Sequence, residues 1–161
     1  MKHVLFFITT FILWLLLTWT VNIQHFTIGL ALSFITTLVF GGLFIKEPNK
    51  IFQLNRWLWF LCYVPLFIWE CLKANIDVAY RVVHPLMPIK PGIVKVRTEL
   101  KSDIAKTVLA NSITLTPGTM SVAIEGEYLY IHWINVEAMD IEGASKRIVS
   151  VFEPLIKKIF D

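Results

Sequence analysis

Along this chain the hydrophobic positions change character near its middle. Val4 to Val21 is an apolar run broken only by Thr9, Thr10, Thr18 and Thr20, and Phe26 to Ile45 is a second run of similar length. Each is long enough to cross a bilayer as a helix. The first run is too long for a signal peptide and no small-x-small cleavage site follows it, so it reads as an uncleaved span. Asn22 to His25 is an uncharged link of the length that joins two antiparallel helices. Residues 1–55 are therefore predicted to form a transmembrane hairpin with spans 4–21 and 26–45, ending at Lys46, Glu47, Pro48, Asn49 and Lys50. Lys2 at one end and Lys46, Lys50 and Arg56 at the other place both ends in the cytoplasm. Gly29 and Ser33, one turn apart, offer a face for close helix packing.

Residues 56–84 join two regimes. Trp57 to Trp69 carries no charge, after which Glu70, Lys73, Asp77, Arg81 and His84 fall on one stripe of a helix with alternating sign. Pro65 predicts a kink. Two placements are open. The segment 57–72 crosses the membrane and leaves the rest of the chain outside, or it dips in as a kinked helix and then lies along the interface or on partner helices. In the second placement, the one adopted here, the charged stripe faces water and the C-terminal domain stays in the cytoplasm.

Pro85, Pro88, Pro91 and Gly92 make residues 85–92 a stiff linker. In residues 93–161 the pattern shortens. Val94, Val96 and Thr98 alternate with Lys95 and Arg97 as a half-buried strand. Ser102 caps a helix carrying Ile104, Ala105, Val108, Leu109 and Ser112. Met120, Val122 and Ile124 alternate, Glu125, Gly126 and Glu127 reverse the chain, and Leu129, Ile131 and Trp133 alternate back. A last helix from about Glu142 carries Ile148, Phe152, Leu155, Ile156 and Ile159 on one face, with a kink at Pro154. The predicted fold is a membrane α-helical hairpin plus a joint or interfacial helix, followed by a small α+β cytoplasmic domain of order β-α-β-β-α.

Composition agrees with a membrane chain: 56% of the 161 residues are hydrophobic and 17% charged. The formal charge of +3 changes meaning once divided. Residues 1–88 hold six Lys and Arg against three acids, and residues 89–161 hold nine against nine. The excess lies beside the membrane, where anionic headgroups attract it. The neutral remainder argues against nucleic acid. Cys62 and Cys71 face opposite sides of a helix, so neither a disulfide nor a zinc site is predicted and both read as small buried residues.

Ion carriage needs ionisable or carbonyl groups at membrane depth. Between Val4 and Ile45 the only ionisable residue is His25, in the link. Glu70 reads as a surface pair with Lys73 before it reads as a proton relay. No nucleophile with an adjacent base, phosphate loop or HExxH stands in the soluble part, so an enzyme is the least expected class and no cofactor is implied. His132 lies in a strand on the face of Tyr128 and Tyr130 and reads as a packed or surface residue. The run from Asn111 to Thr119 is rich in hydroxyls. It reads as a hydrogen-bonded helix end and turn, with an anion or other small ligand on its amides as the alternative, in which case the chain is a membrane-tethered sensor. The candidate structural or coupling residues are Glu70, Lys73, Asp77, Arg81, Asn111, Thr114, Thr116, Pro117, Gly118, Thr119 and His132.

At this run the chain resembles the E subunits of Mrp-type multisubunit Na+/H+ antiporters, the MnhE family. Leu109 and Ala110 with Asn111 to Thr119 are the most specific match, and Leu129, Tyr130, Ile131 and His132 a second. Ile89, Pro91, Gly92, Ile93, Thr98, Glu99 and Leu100 resemble the family's linker and first strand, and Glu70, Ala74 and Asn75 its membrane-exit helix. Ala123 departs from the acidic residue expected there. The resemblance implies an accessory subunit of a hetero-oligomeric cell-membrane complex that exchanges cytoplasmic sodium for protons, with conduction in larger subunits. Its implied partners are other antiporter subunits, the lipid bilayer and a second copy of the complex. Similar chains occur in membrane-bound hydrogenase and sulfur-reducing complexes, which family membership alone does not separate.

Overall fold

The computed structural model describes residues 2–20, 22–41 and 53–161. They fall into two units, Met1–Gln53 and Leu54–Asp161. The expected end of the second span at Ile45 and the charges at Lys46, Glu47 and Lys50 lie outside the described residues.

The first unit is a pair of helices, α1 (Lys2–Thr18) and α2 (Ile23–Phe40). α1 ends three residues earlier than expected because Trp19 takes a left-handed φ of 47°. The Asn22 side chain accepts from the Gln24 amide at 3.2 Å and starts α2 there, so the link is shifted ahead of its predicted position at 22–25. Gly29, Ser33 and Thr37 are the buried residues of α2. A Cβ on Gly29 would collide with Trp14 Cδ1, so the indole rests on bare backbone there. Trp14 Nε1 also donates to the His25 carbonyl at 3.0 Å. The threonines are spent inside their own helices: Thr9, Thr10, Thr18, Thr27, Thr36 and Thr37 each donate to the carbonyl four residues back at 2.7–3.0 Å.

The second unit opens with α3 (Leu54–Val83), a 30-residue helix that continues through Pro65. It is followed by β1 (Gly92–Arg97), α4 (Asp103–Leu115), β2 (Thr119–Glu125), β3 (Tyr128–Trp133), α5 (Ile141–Ile148) and α6 (Glu153–Phe160). The strands form an antiparallel sheet of order β1-β3-β2. Gly126, at φ 62°, supplies the positive angle of the tight β2–β3 turn. Val94, Val96, Leu129 and Ile131 meet Leu109, Ile113, Ala144, Phe152 and Ile156 in one core.

Four expectations are corrected in whole or in part. The single kinked C-terminal helix is two helices, because the chain turns at 149–152 and Pro154 sits in the first turn of α6, where a missing N–H costs nothing. Met120, Val122 and Ile124 do not share a face, since a β-bulge between Ser121 and Ala123 inserts an extra residue. The charged stripe of α3 turns toward the rest of its own unit, with Glu70 and Arg81 enclosed while Lys73 and Asp77 stay more than half exposed, at 53% each. On that side Tyr63 shares a 2.5 Å hydrogen bond with Ser112, Phe67 packs on Phe152, Arg56 donates to the Ile159 carbonyl at 2.5 Å, and Lys158 lies 3.7 Å over the Trp59 ring. The opposite side is apolar and exposed from Leu54 through Leu58, Leu61, Ile68, Leu72 and Ile76 to Val83, with Ile76 at 71%. Cys62 flanks that exposed side, and Cys71 is half-buried with its thiol 3.8 Å from the Leu115 carbonyl, so the reading of both as buried is corrected too.

Candidate functional site

The charged stripe of α3 forms one wall of a cleft of about 290 Å³. Glu70, Lys73, Ala74, Asp77 and Arg81 face the turn Thr116–Thr119, the end of β3 with Asn135, and Glu137 and Arg147. Trp133, Ile113, Ile148, Val151 and Phe152 give it an apolar floor. The helical period of α3 brings four of its predicted residues here together. The turn arrives because α4 ends at Thr116, whose amide bonds back to the Ser112 and Ile113 carbonyls. Gly118 has φ 91°, which bars a side chain sterically, and its carbonyl accepts from the Ile134 amide at 2.8 Å.

The cleft's charges are neutralised in pairs. Lys73 Nζ lies 2.8 Å from Glu70, Arg81 grips Asp77 through Nε at 2.7 Å and Nη2 at 3.0 Å, and Arg147 lies 3.6 Å from Glu137. Arg81 also donates to the Pro88 carbonyl at 2.7 Å, which pins the Pro-rich linker to the helix. The Glu70 and Arg81 side chains are 18% and 14% exposed, so these two are enclosed rather than surface groups. Three cations against three anions leave no field favouring an ion of either sign. No group of His, Cys, Asp or Glu able to hold a metal occurs among the described residues.

The hydroxyl-rich run is spent on backbone. Ser112 donates to the Val108 carbonyl at 2.5 Å, Thr114 to Ala110 at 2.9 Å, Thr116 to Ser112 at 2.8 Å and Thr119 to Ile113 at 2.7 Å. Thr114 also accepts from the Ser121 amide at 3.0 Å and ties α4 to β2. These are the bonds of a helix end and turn, and they leave no hydroxyl proton for a ligand.

Of the residues singled out from sequence, Glu70, Lys73, Asp77, Arg81, Thr116, Pro117, Gly118 and Thr119 line the cleft. Thr114 lies behind the turn, Asn111 is exposed on α4, and His132 is on the open face of the sheet between Ile93 and Met120. Sequence reasoning missed Trp133, Asn135, Glu137 and Arg147 as parts of the cleft. No local pattern marks them, because only the packing of α5 and the end of β3 carries them to α3.

Comparison with known proteins places the chain among membrane complexes. A family model described as Na+/H+ ion antiporter subunit matches residues 7–159. The E subunit of the Na+/H+ antiporter of Bacillus subtilis is 38% identical over 137 residues, covering 80% of this chain and 82% of that one. The E1 subunit of the Na+/H+ antiporter of Staphylococcus haemolyticus is 32% identical over 160 residues, covering 97% and 95%. A chain in the structure of the membrane-bound sulfane sulfur reductase, an archaeal respiratory membrane complex, is 42% identical, with a TM-score of 0.84 and 99% of both chains covered.

Proposed function

This chain belongs to the MnhE family of Na+/H+ antiporter E subunits, and we propose that it is the part of such a complex that anchors and braces rather than the part that carries ions or catalyses a reaction. Its partners are the other subunits of a multisubunit membrane complex. One observation carries the bracing role. Among the described residues of the hairpin the ionisable groups are Lys2, His3 and His25, and every threonine hydroxyl bonded there is spent on its own helix. Such a pair of helices offers a cation or proton no group to step through, and charge in hydrocarbon is costly without one.

The same reading gives the topology. α1 and α2, at about 1.5 Å per residue, are each about 25 Å long and cross the bilayer as a hairpin with both ends in the cytoplasm. α3 is apolar and long enough to cross by composition alone. Its inner face, however, is held along Arg56 to Cys71 by α4 and α6. A perpendicular crossing would pull Lys157, Lys158 and Glu153 of α6 into hydrocarbon. α3 therefore lies in the plane of the cytoplasmic interface with its exposed apolar side in lipid, and the α+β domain stands in the cytoplasm.

The test is sodium uptake into proteoliposomes under a proton gradient. The intact complex should exchange the two ions and the purified chain alone should exchange neither; exchange by the chain alone sinks the reading. A second reading, a subunit of a redox-driven complex carrying an antiporter module, is favoured by the 42% identity to the sulfane sulfur reductase chain. Mass spectrometry of the tagged complex decides between the two, since an iron–sulfur or nickel-iron subunit in the same pool selects the redox host.

A further inference from the structure

Between Asp77 and Glu99 the chain carries Arg81, His84, Lys90, Lys95 and Arg97 and no acid. In that stretch lies the corner where α3 ends. The His84 amide still bonds to the Tyr80 carbonyl at 3.0 Å, and the Met87 amide closes one more turn on the His84 carbonyl at 2.9 Å. Met87 then takes a left-handed φ of 39°, an angle that is costly for any residue with a side chain. Three bonds hold the corner against that cost. The Leu86 amide donates to His84 Nδ1 at 3.2 Å, the Ile89 amide to the Met87 carbonyl at 2.8 Å, and Arg81 to the Pro88 carbonyl at 2.7 Å. What this turn holds outward is apolar: Val83 and Leu86 are 83% and 84% exposed and Met87 55%. Leu86 follows Val83 by three residues in a turn that stays wound, so it prolongs the outer side of α3 that runs from Leu54 through Ile76 to Val83.

Charge and size decide what covers the corner. Arg81 is paired with Asp77 and Arg97 with Glu127, and Lys95 stands on the sheet. Lys90, beside the corner, is exposed and has no carboxylate partner among the described residues. Glu137, one residue past the Val136 amide that bonds to the Lys90 carbonyl, is taken by Arg147 at 3.6 Å. A few apolar side chains beside one free cation fall far short of the roughly 20–30 residues a side that a stable protein interface uses. A bilayer needs no shaped partner. It takes apolar side chains into its boundary and draws cations to anionic headgroups.

We propose that the corner at residues 83–87 dips into the cytoplasmic leaflet as a second anchor of the α+β domain, with Lys90 on the phosphate of an anionic phospholipid headgroup. The proposal rests on the in-plane placement of α3 and names the lipid class that this surface meets. The hydrogen-bonded turn supplies preorganisation, since Leu86 and Met87 already stand clear of the domain before they meet lipid.

The experiment uses the tagged complex in vesicles of phosphatidylglycerol or of phosphatidylcholine. The photo-crosslinking residue p-benzoylphenylalanine replaces Leu86, in a second preparation Ile76 on the outer side of α3, and in a third Met139, exposed in the loop before α5. Phospholipid adducts, read by mass, should form from positions 76 and 86 and not from 139. In phosphatidylglycerol, Lys90→Glu should lower the yield at position 86 about fivefold and leave position 76 unchanged, whereas Lys90→Arg should retain it. Phosphatidylcholine should lower the yield at 86 to a similar degree with Lys90 in place. Lipid adducts at 76 but none at 86, adducts of 86 with another subunit instead of lipid, or a yield at 86 indifferent to Lys90→Glu would overturn the proposal while leaving α3 in lipid. No lipid adduct at position 76 would sink the in-plane placement itself, and the proposal with it.

Discussion

The two units of this chain are built inside out with respect to each other. In the hairpin the buried positions of α2 are Gly29, Ser33 and Thr37, while its phenylalanines and leucines point outward. In the second unit α4 buries Ala105, Leu109 and Ile113, and its Lys106 reaches out to the Gly126 carbonyl. The same physics acts in both cases with a different solvent. Where lipid is the surroundings, apolar side chains gain nothing by turning inward, and small residues that let backbones approach are what hold helices together. Where water is the surroundings, burial of apolar area is the main driving force. α3 presents a full-length apolar stripe to the outside and a row of ion pairs to its own domain, and in the proposed topology each side meets its own solvent.

The comparison is most easily broken at matched leucines. Leu129→Ala, in the sheet core, should cost about 2–5 kcal/mol, read as a lower melting temperature of the full chain in detergent. Leu17→Ala, on the outer side of α1, should leave that temperature within about 0.5 kcal/mol of unchanged. Equal losses would mean that α1 is packed like a soluble helix. A smaller effect sharpens the hairpin half. Gly29→Leu drives side-chain atoms into Trp14 and should cost about 1–3 kcal/mol, visible as a shift in indole fluorescence. No change there would mean that the two helices are not held by that contact.

The smallest effect belongs to the water-facing side of the second unit. Lys157 donates to Glu99 at 3.0 Å, which holds the Glu99 carboxyl below its ordinary range and the Lys157 ammonium above its own. A depressed carboxyl adds stability at neutral pH that is lost as pH falls through its folded value. A raised ammonium adds stability that is lost only as pH rises through its folded value, well into the alkaline range. Lys157→Met should therefore flatten the pH dependence of melting slightly at both ends and leave the neutral region almost unchanged. A large change near pH 7 would contradict this.

Much of the fold was legible because period and solvent agree. Threonine-punctuated apolar runs gave the hairpin, and alternation in Val94, Val96, Leu129 and Ile131 gave the strands, since those positions fill one face. Three things were hidden for physical reasons. The bulge at Ser121 and Ala123 needs no particular residue type. The spacing from Ile148 to Ile159 stays near helical through a break that only the path of the chain reveals. The period of α3 marked out the charged stripe but not which side of the helix the domain would cover, because that choice is tertiary. At the candidate site the α3 stripe and the turn were visible as local patterns, whereas Glu137 and Arg147 come from distant parts of the chain.

The clasp between α6 and α3 bears on how the protein is made. Arg56, Trp59 and Phe67 find their partners in Ile159, Lys158 and Phe152, all made after α3 and α4. During synthesis α3 is thus complete while part of its inner side still lacks a cover. Asp161 then closes the set, accepting from the Lys101 and Ser102 amides at 2.9 and 3.0 Å at the start of α4. Translation order places docking of α6 after α3 is made, so a chain cut short before α6 presents bare helix to the cell's quality-control machinery instead of a covered one to its complex.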